Sequence, residues 1–212
     1  MNVANFAAVI LAAGFSTRMN RLKPLLPLGE ATITDFVVST FKNLGVDPFL
    51  VVGNRKEEII KGINSRVVTI VDNPDFEQGM FSSVQAGIKQ LHSKYQGFFV
   101  LPVDIPLVKA ATIKAIMDTF TAHPYSIVYP AFQGHRGHPP LIPSSLIPGL
   151  LSWKQDGGLK AFLMLNDRIA INMPVNDRFI LFDIDTPEDY IKMQTLNKDN
   201  GSFLKDIQEF RG

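Results

Sequence analysis

Four charged side chains stand where chemistry would place them. Asp104 follows the apolar run FFVLPV and Asp183 follows FILF, so each carboxylate sits at the exit of a run that reads as a buried strand. Open α/β sheets bind their ligands at such exits. Two carboxylates at two strand ends suit one Mg²⁺, which takes a few protein oxygens and completes its octahedron with phosphate and water. Arg18 and Lys23 lie in the loop that leaves a third apolar run, FAAVILA, with Ala12, Ala13 and Gly14 at its mouth. Small residues let a nucleotide approach the backbone, and two fixed cations clamp a polyphosphate. The plainer alternative is a solvated turn carrying incidental basic residues.

Other reactive groups are scarce. The chain has no cysteine and four histidines, and no serine sits in a G-x-S-x-G elbow. The absence of cysteine removes disulfides, thiolate metal ligands and a thiol nucleophile, and accords with a reducing cytoplasm, the expected location. His92 and His123 occupy ordinary helix-end positions, whereas His135 and His138 share a glycine-rich turn. Asp185 has a role without any metal. Either it caps the last helix with Glu188 at the third helical position, or Thr186 caps that helix with Pro187 at the first. Asp183, nearer the apolar run, therefore ranks above Asp185 as a metal ligand.

The elements that would hold these groups alternate along the chain. Short apolar runs (FAAVILA, PFLVVG, RVVTIV, GFFVLPVD) are separated by segments of helical period, such as Ile33, Phe36, Val37, Thr40, Phe41 and Leu44 ahead of Gly45, or Val84, Ile88 and Leu91. That alternation predicts an α/β domain, a three-layer α/β/α sandwich on a Rossmann-like, mostly parallel sheet. The second half is less regular. YSIVYP reads as a strand, FQGHRGHPPLI as a turn between short strands, GGLKAFLML as a helix, RIAINMP and RFILFDID as strands, and TPEDYIKMQTL as the last major helix. The tail beyond it predicts a short helix after a turn.

At 212 residues one domain is expected. A net charge of +1 argues against a basic face for nucleic acid. No apolar run reaches the roughly 20 residues that a bilayer span needs.

The loop after the first run belongs to neither common phosphate-binding pattern. A P-loop requires glycine five residues after the first, where Met19 follows Gly14, and G-x-G-x-x-G occurs nowhere. What stands there is L-A-A-G-F-S-T-R-M, then K-P-L-L-P. This resembles the signature loop of the MobA-like nucleotidyltransferases, a group with a GT-A-like nucleotide-diphospho-sugar transferase fold that includes cytidylyl- and guanylyltransferases of the molybdenum cofactor. GMFSSVQAGI, LPVDIPLV, GHPPLI and FDIDTPEDY resemble further family segments in the same order, and QDGGLKAFL is a looser match.

The resemblance implies an Mg²⁺-dependent transfer of a nucleotide from a triphosphate to a phosphorylated acceptor, with loss of pyrophosphate. It implies Arg18, Lys23 and Asp104 as catalytic groups and Asp104 with Asp183 as metal ligands. Leu11, Ala12, Ala13, Gly14, Lys23, Asn54, Gly79 and Ser83 would bind the nucleotide, and His138 and Lys160 the acceptor. For His138 a purely structural turn role weighs equally. The L-A-A-G form resembles the family's cytidylyltransferases, whereas L-A-G-G resembles its guanylyltransferases, so Ala13 points to CTP. The expected acceptor is molybdopterin, with a molybdoenzyme as recipient of the dinucleotide. Within the one domain, the resemblance implies a nucleotide-binding half over about 1–105, an acceptor-binding half over about 106–196 and a C-terminal helical tail over about 197–212.

Three positions depart from the pattern. Asn20 and Gln155 replace glycines, and Lys160 replaces arginine, which keeps charge and loses the bidentate fork. Two rivals stand beside this reading: a transferase that uses GTP or a sugar or polyol phosphate, and an accessory protein for molybdoenzyme maturation that binds nucleotide without turnover.

Overall fold

The computed structural model describes residues 5–15, 19, 21–64 and 67–199. β1 (Phe6–Leu11) leads through a 3-10 turn at Lys23–Leu25 to a small hairpin, β2 (Pro27–Leu28) and β3 (Ala31–Thr32), and then to α1 (Ile33–Asn43). β4 (Asp47–Val52), α2 (Lys56–Gly62), β5 (Thr69–Asp72), α3 (Met80–Lys89) and β6 (Gly97–Pro102) follow. The remainder is α4 (Ala110–Ala122), β7 (Ile127–Phe132), β8 (His135–Arg136), β9 (Leu141–Pro143), α5 (Ile147–Ser152), α6 (Gly158–Leu165), β10 (Ala170–Pro174) and α7 (Pro187–Asp199).

The main sheet runs in the order β10-β7-β9-β6-β1-β4-β5, with β8 paired to β7. β1 lies parallel to both β4 and β6, β4 parallel to β5, and β7 parallel to β10. β9 runs antiparallel between β6 and β7. The expected mostly parallel α/β sheet is therefore present.

Successive side chains of a strand point to opposite faces, so a strand covered on both sides reads as one unbroken apolar run. β1 shows the consequence. Phe6, Ala8 and Ile10 enter one core with α1, α4 and α7, while Ala7, Val9 and Leu11 enter the other with α3, α5 and α6. These two cores are the two interfaces of the three-layer sandwich. α3 lies close against β1: a Cβ on Gly87 would sit 2.4 Å from Val9 Cγ1, so the absence of a side chain lets the helix seat.

α1 begins and ends as its sequence predicts. Thr32 accepts from the Asp35 N–H at its start, and Gly45, at φ +75, follows its end.

Two sequence expectations fail. RFILFDID is not a strand: Arg178–Leu181 forms a 3-10 turn and 182–185 is irregular. Asp177, 2% exposed, accounts for this. One of its oxygens accepts from Phe179 N–H, and the other from Lys109 N–H and the Thr112 hydroxyl at the start of α4. The segment is thereby tied to a helix end instead of a sheet edge. The third apolar run also shortens, to Thr69–Asp72. Its expected start at Arg66, like the tail from residue 200, lies outside the described residues. Among the described residues no helix is long and apolar enough to cross a membrane.

Candidate active site

The chain leaves β1 into a cleft at the carboxyl ends of the central strands. Three backbone bonds fix this exit: Ala12 N–H to Val51 O, Val103 N–H to Leu11 O, and Asn54 N–H to Ala13 O at 3.3 Å. Leu11, Ala12 and Ala13 are consequently held as an extension of the sheet, and the space beside Gly14 is open. The cleft encloses about 270 Å³. Leu11, Ala12, Ala13 and Gly14 line it from the exit of β1, Gly79 and Ser83 from the start of α3, and Lys23 and Asp104 from the loops after β1 and β6. Gly79, at φ +96, sits in a conformation that favours glycine and opens α3. Eight residues singled out from the sequence as nucleotide-binding or catalytic thus share one cavity.

Lys23 is presented by a rigid turn. Pro24 follows it, Pro24 O accepts from the Thr34 hydroxyl of α1, and Leu26 N–H bonds back to Lys23 O. Only 12% of the Lys23 side chain is exposed. Its Nζ lies 2.7 Å from Asp185 Oδ1 and 3.4 Å from Asp104 Oδ2, one cation between two carboxylates. Burial pushes the Asp104 carboxyl above its ordinary range; the Lys23 charge pulls it back, and the Asp185 charge adds to the upward push.

Asp185 reaches this position because it does not cap α7. Thr186 does so: its hydroxyl accepts from Asp189 N–H while Asp189 Oδ2 accepts from Thr186 N–H. This is a capping box with the acid one position later than Glu188 and with Pro187 at the first helical residue. Ile184 N–H donates to Asp104 O at 2.9 Å, drawing the 182–185 segment against the end of β6.

Asp183, at the end of the run misread as a strand, is exposed, and its negative charge acts on His138. His138 donates its backbone N–H to Ile180 O, and its buried Nδ1 has no hydrogen-bond partner among the described residues. Burial holds its imidazole below the usual range, against the opposing influence of Val100 and Asp183. Neither His138 nor Lys160, exposed on α6, lines the cleft. Among the described residues, Asn54 meets the site through its backbone bond to Ala13 and does not line the cleft. Arg18 and Asn20 lie outside the described residues, and Gln155 is exposed.

The sequence reading also missed residues. Phe15 and Phe76 pack with ring centroids 5.4 Å apart on the cleft wall. Gly53 makes room for Phe76, since a Cβ there would lie 2.7 Å from Phe76 Cβ. Asn73, 2% exposed, bonds to Ser82 and Ser83. DNPDFEQGM carries so many turn formers that it read only as a loop.

This cleft lies at the ends of parallel strands and combines small residues, a buried hydroxyl and a lysine shared by two carboxylates. A lysine beside carboxylates at such strand ends can meet an anionic ligand, and the comparisons with known proteins give the family. Residues 8–169 match the model of the MobA-like NTP transferase domain. The molybdenum cofactor cytidylyltransferase of Escherichia coli (strain K12) is 27% identical over 184 residues, 86% of this chain and 92% of that protein. Rv0371c from Mycobacterium tuberculosis H37Rv has the same fold, with a TM-score of 0.81 at 23% identity, covering 92% of this chain and all of that one. A structure of Rv0371c in complex with manganese superposes with a TM-score of 0.71 at 20% identity, over 92% of this chain and 100% of that one. The chain belongs to the MobA-like NTP transferase family and is a nucleotidyltransferase.

Proposed function

We propose that this nucleotidyltransferase moves CMP from CTP to a phosphorylated acceptor, with molybdopterin the favoured one, and releases pyrophosphate. An acceptor phosphate oxygen attacks the α-phosphorus, the bond to the β-phosphate breaks, and pyrophosphate carries the electron pair away. The observation that carries the reading is Lys23 fixed between Asp104 and Asp185 in a cleft that Ala13, Gly79 and Ser83 also line.

A phosphate monoester, with its second pKa near ~6, is largely dianionic at neutral pH and needs no general base. Among the described residues that line the cleft there is no histidine. Lys23 acts on the triphosphate, where charge grows on the bridging and leaving oxygens; electrostatic stabilisation of this kind dominates such reactions. The donor set fits a divalent cation, because the spot already holds one positive charge between two carboxylates. Asp104 and Asp185 would hold Mg²⁺, with Asp183 on the exposed side of the same segment. The metal, when bound, neutralises phosphate charge and orients the reacting groups.

The Ala13 side chain supports CTP over GTP. Ala13 is among the residues lining the cleft, and its L-A-A-G run resembles that of the family's cytidylyltransferases, whereas L-A-G-G resembles that of its guanylyltransferases. The absence of cysteine accords with the cytoplasm as the place of reaction, and a molybdoenzyme is the proposed recipient of the product. Lys23→Ala tests the reading. Turnover of CTP with molybdopterin should fall by about 10²–10³-fold while circular dichroism stays that of the parent. Undiminished turnover would overturn it.

A further inference from the structure

Asn73 follows β5 directly and is almost wholly buried. Its backbone N–H donates to Val52 O. Its side-chain Oδ1 accepts from Asp75 N–H at 3.0 Å. A backbone N–H is an obligate donor, so this bond fixes which end of the amide is oxygen and turns Nδ2 toward α3. Nδ2 carries two hydrogens and has two partners, Ser82 Oγ and Ser83 Oγ, each at 2.9 Å.

The two serines differ in where their own protons go. The Ser82 hydroxyl has carbonyl acceptors at Asp75 and Gly79, 2.9 and 2.8 Å away. Ser83 is 4% exposed, lines the cleft, and accepts from Asn73; among the described residues nothing accepts its proton. A hydroxyl has one donor and two acceptor positions. With one acceptor position engaged by Asn73, the O–H remains for the cleft.

We infer that Asn73 is a positioning residue that sets the polarity of Ser83, making it a hydrogen-bond donor toward the nucleobase. The base edge recognised there must then offer an acceptor, a ring nitrogen or carbonyl oxygen such as cytosine presents, and not an amine. This rests on the reading of the cleft as the CTP site.

Asn73→Asp isolates the effect. The carboxylate keeps the shape and still accepts from Asp75 N–H, but it has no N–H to give, so it takes the Ser83 proton and turns the hydroxyl inward. The affinity of CTP with Mg²⁺, measured by calorimetry, is compared for the parent, Asn73→Asp, Ser83→Ala and the double variant. Inorganic pyrophosphate serves as a probe that has no base.

Each single variant should weaken CTP about tenfold, the size of one hydrogen bond. The double variant should lose no more than either alone, and pyrophosphate affinity should be unchanged in all. Parent-like CTP affinity in Asn73→Asp, with Ser83→Ala weakened, would overturn the role of Asn73. Additive losses, or a parallel loss of pyrophosphate, would overturn it too and leave Asn73 a structural residue. No effect of Ser83→Ala would instead remove Ser83 as a base contact, and the inference with it. Should Asn73→Asp fail to fold, Asn73→Ala in the same cycle decides by the same coupling.

Discussion

At the scale of residues, the site puts a carboxylate where folding alone would not. Asp104 is partly buried and its pKa is raised, chiefly by burial, so its ionisation opposes folding. The sign follows by linkage: the folded protein loses stability as pH rises from the ordinary aspartate value of 3.8 toward the raised one, and the loss persists above it. Asp104→Asn lacks that penalty. Its melting temperature should exceed the parent's by a margin that opens as pH rises through this window and closes below it, while turnover is lost. A thermal-melt series against pH checks both signs.

The cleft residues after β1 were legible because their types are unusual for a strand exit: three small residues, then a lysine. Asp104 was legible because a carboxylate interrupts an apolar run. Asp185, Asn73 and Phe76 were not. The choice between Asp185 and Thr186 as cap turned on whether Glu188 or Asp189 closes the capping box, one residue of register that sequence does not resolve. Asn73 sits in a turn-forming stretch, and its burial depends on contacts with a helix about ten residues later.

At the scale of elements, the misreading of RFILFDID is instructive. Phe179 and Ile180 are buried as a strand's residues would be, but burial is supplied by the core beneath them and not by a ladder. Asp177 spends both oxygens on the turn and on α4, so the backbone groups of this segment find single partners: His138 N–H for Ile180 O, and Asp104 O for Ile184 N–H. Apolar content alone does not separate such a segment from a strand.

The start of α7 shows how a cap serves the site. Because Thr186 and Asp189 satisfy each other's backbone N–H groups, Asp185 is left to pair with Lys23. Thr186→Ala should cost about 1 kcal/mol of stability. Hydrogen exchange should quicken first at the amides of Asp185, Thr186 and Asp189; uniform change across the protein would count against a local cap. The helices of the first half were legible from their period and their end signals, Thr32 and Gly45 among them.

At the scale of the whole molecule, the position of the cleft follows from strand order. From β1 the chain moves through α1 to β4 and β5 on one side, then crosses back through α3 to β6 on the other. α1 and α3 pack on opposite faces, so the loops above β1 part there, and a crevice opens at the switch in direction. The alternation of apolar runs and helical periods made the layers legible. The antiparallel β9 between β6 and β7 was not, since sheet order depends on long-range pairing.

The proposal takes CTP as the donor and a phosphate as the nucleophile, on a crevice that brings Ala13, Ser83, Lys23 and Asp104 together. Incubation with CTP labelled at the α-phosphate, molybdopterin and Mg²⁺, set against GTP and a panel of sugar and polyol phosphates, tests that assignment most directly. The account predicts label in a molybdopterin–cytosine dinucleotide with equimolar pyrophosphate, in excess of any other pairing. Tight binding of CTP with no label transferred to any acceptor, or preferred transfer from GTP, would contradict it.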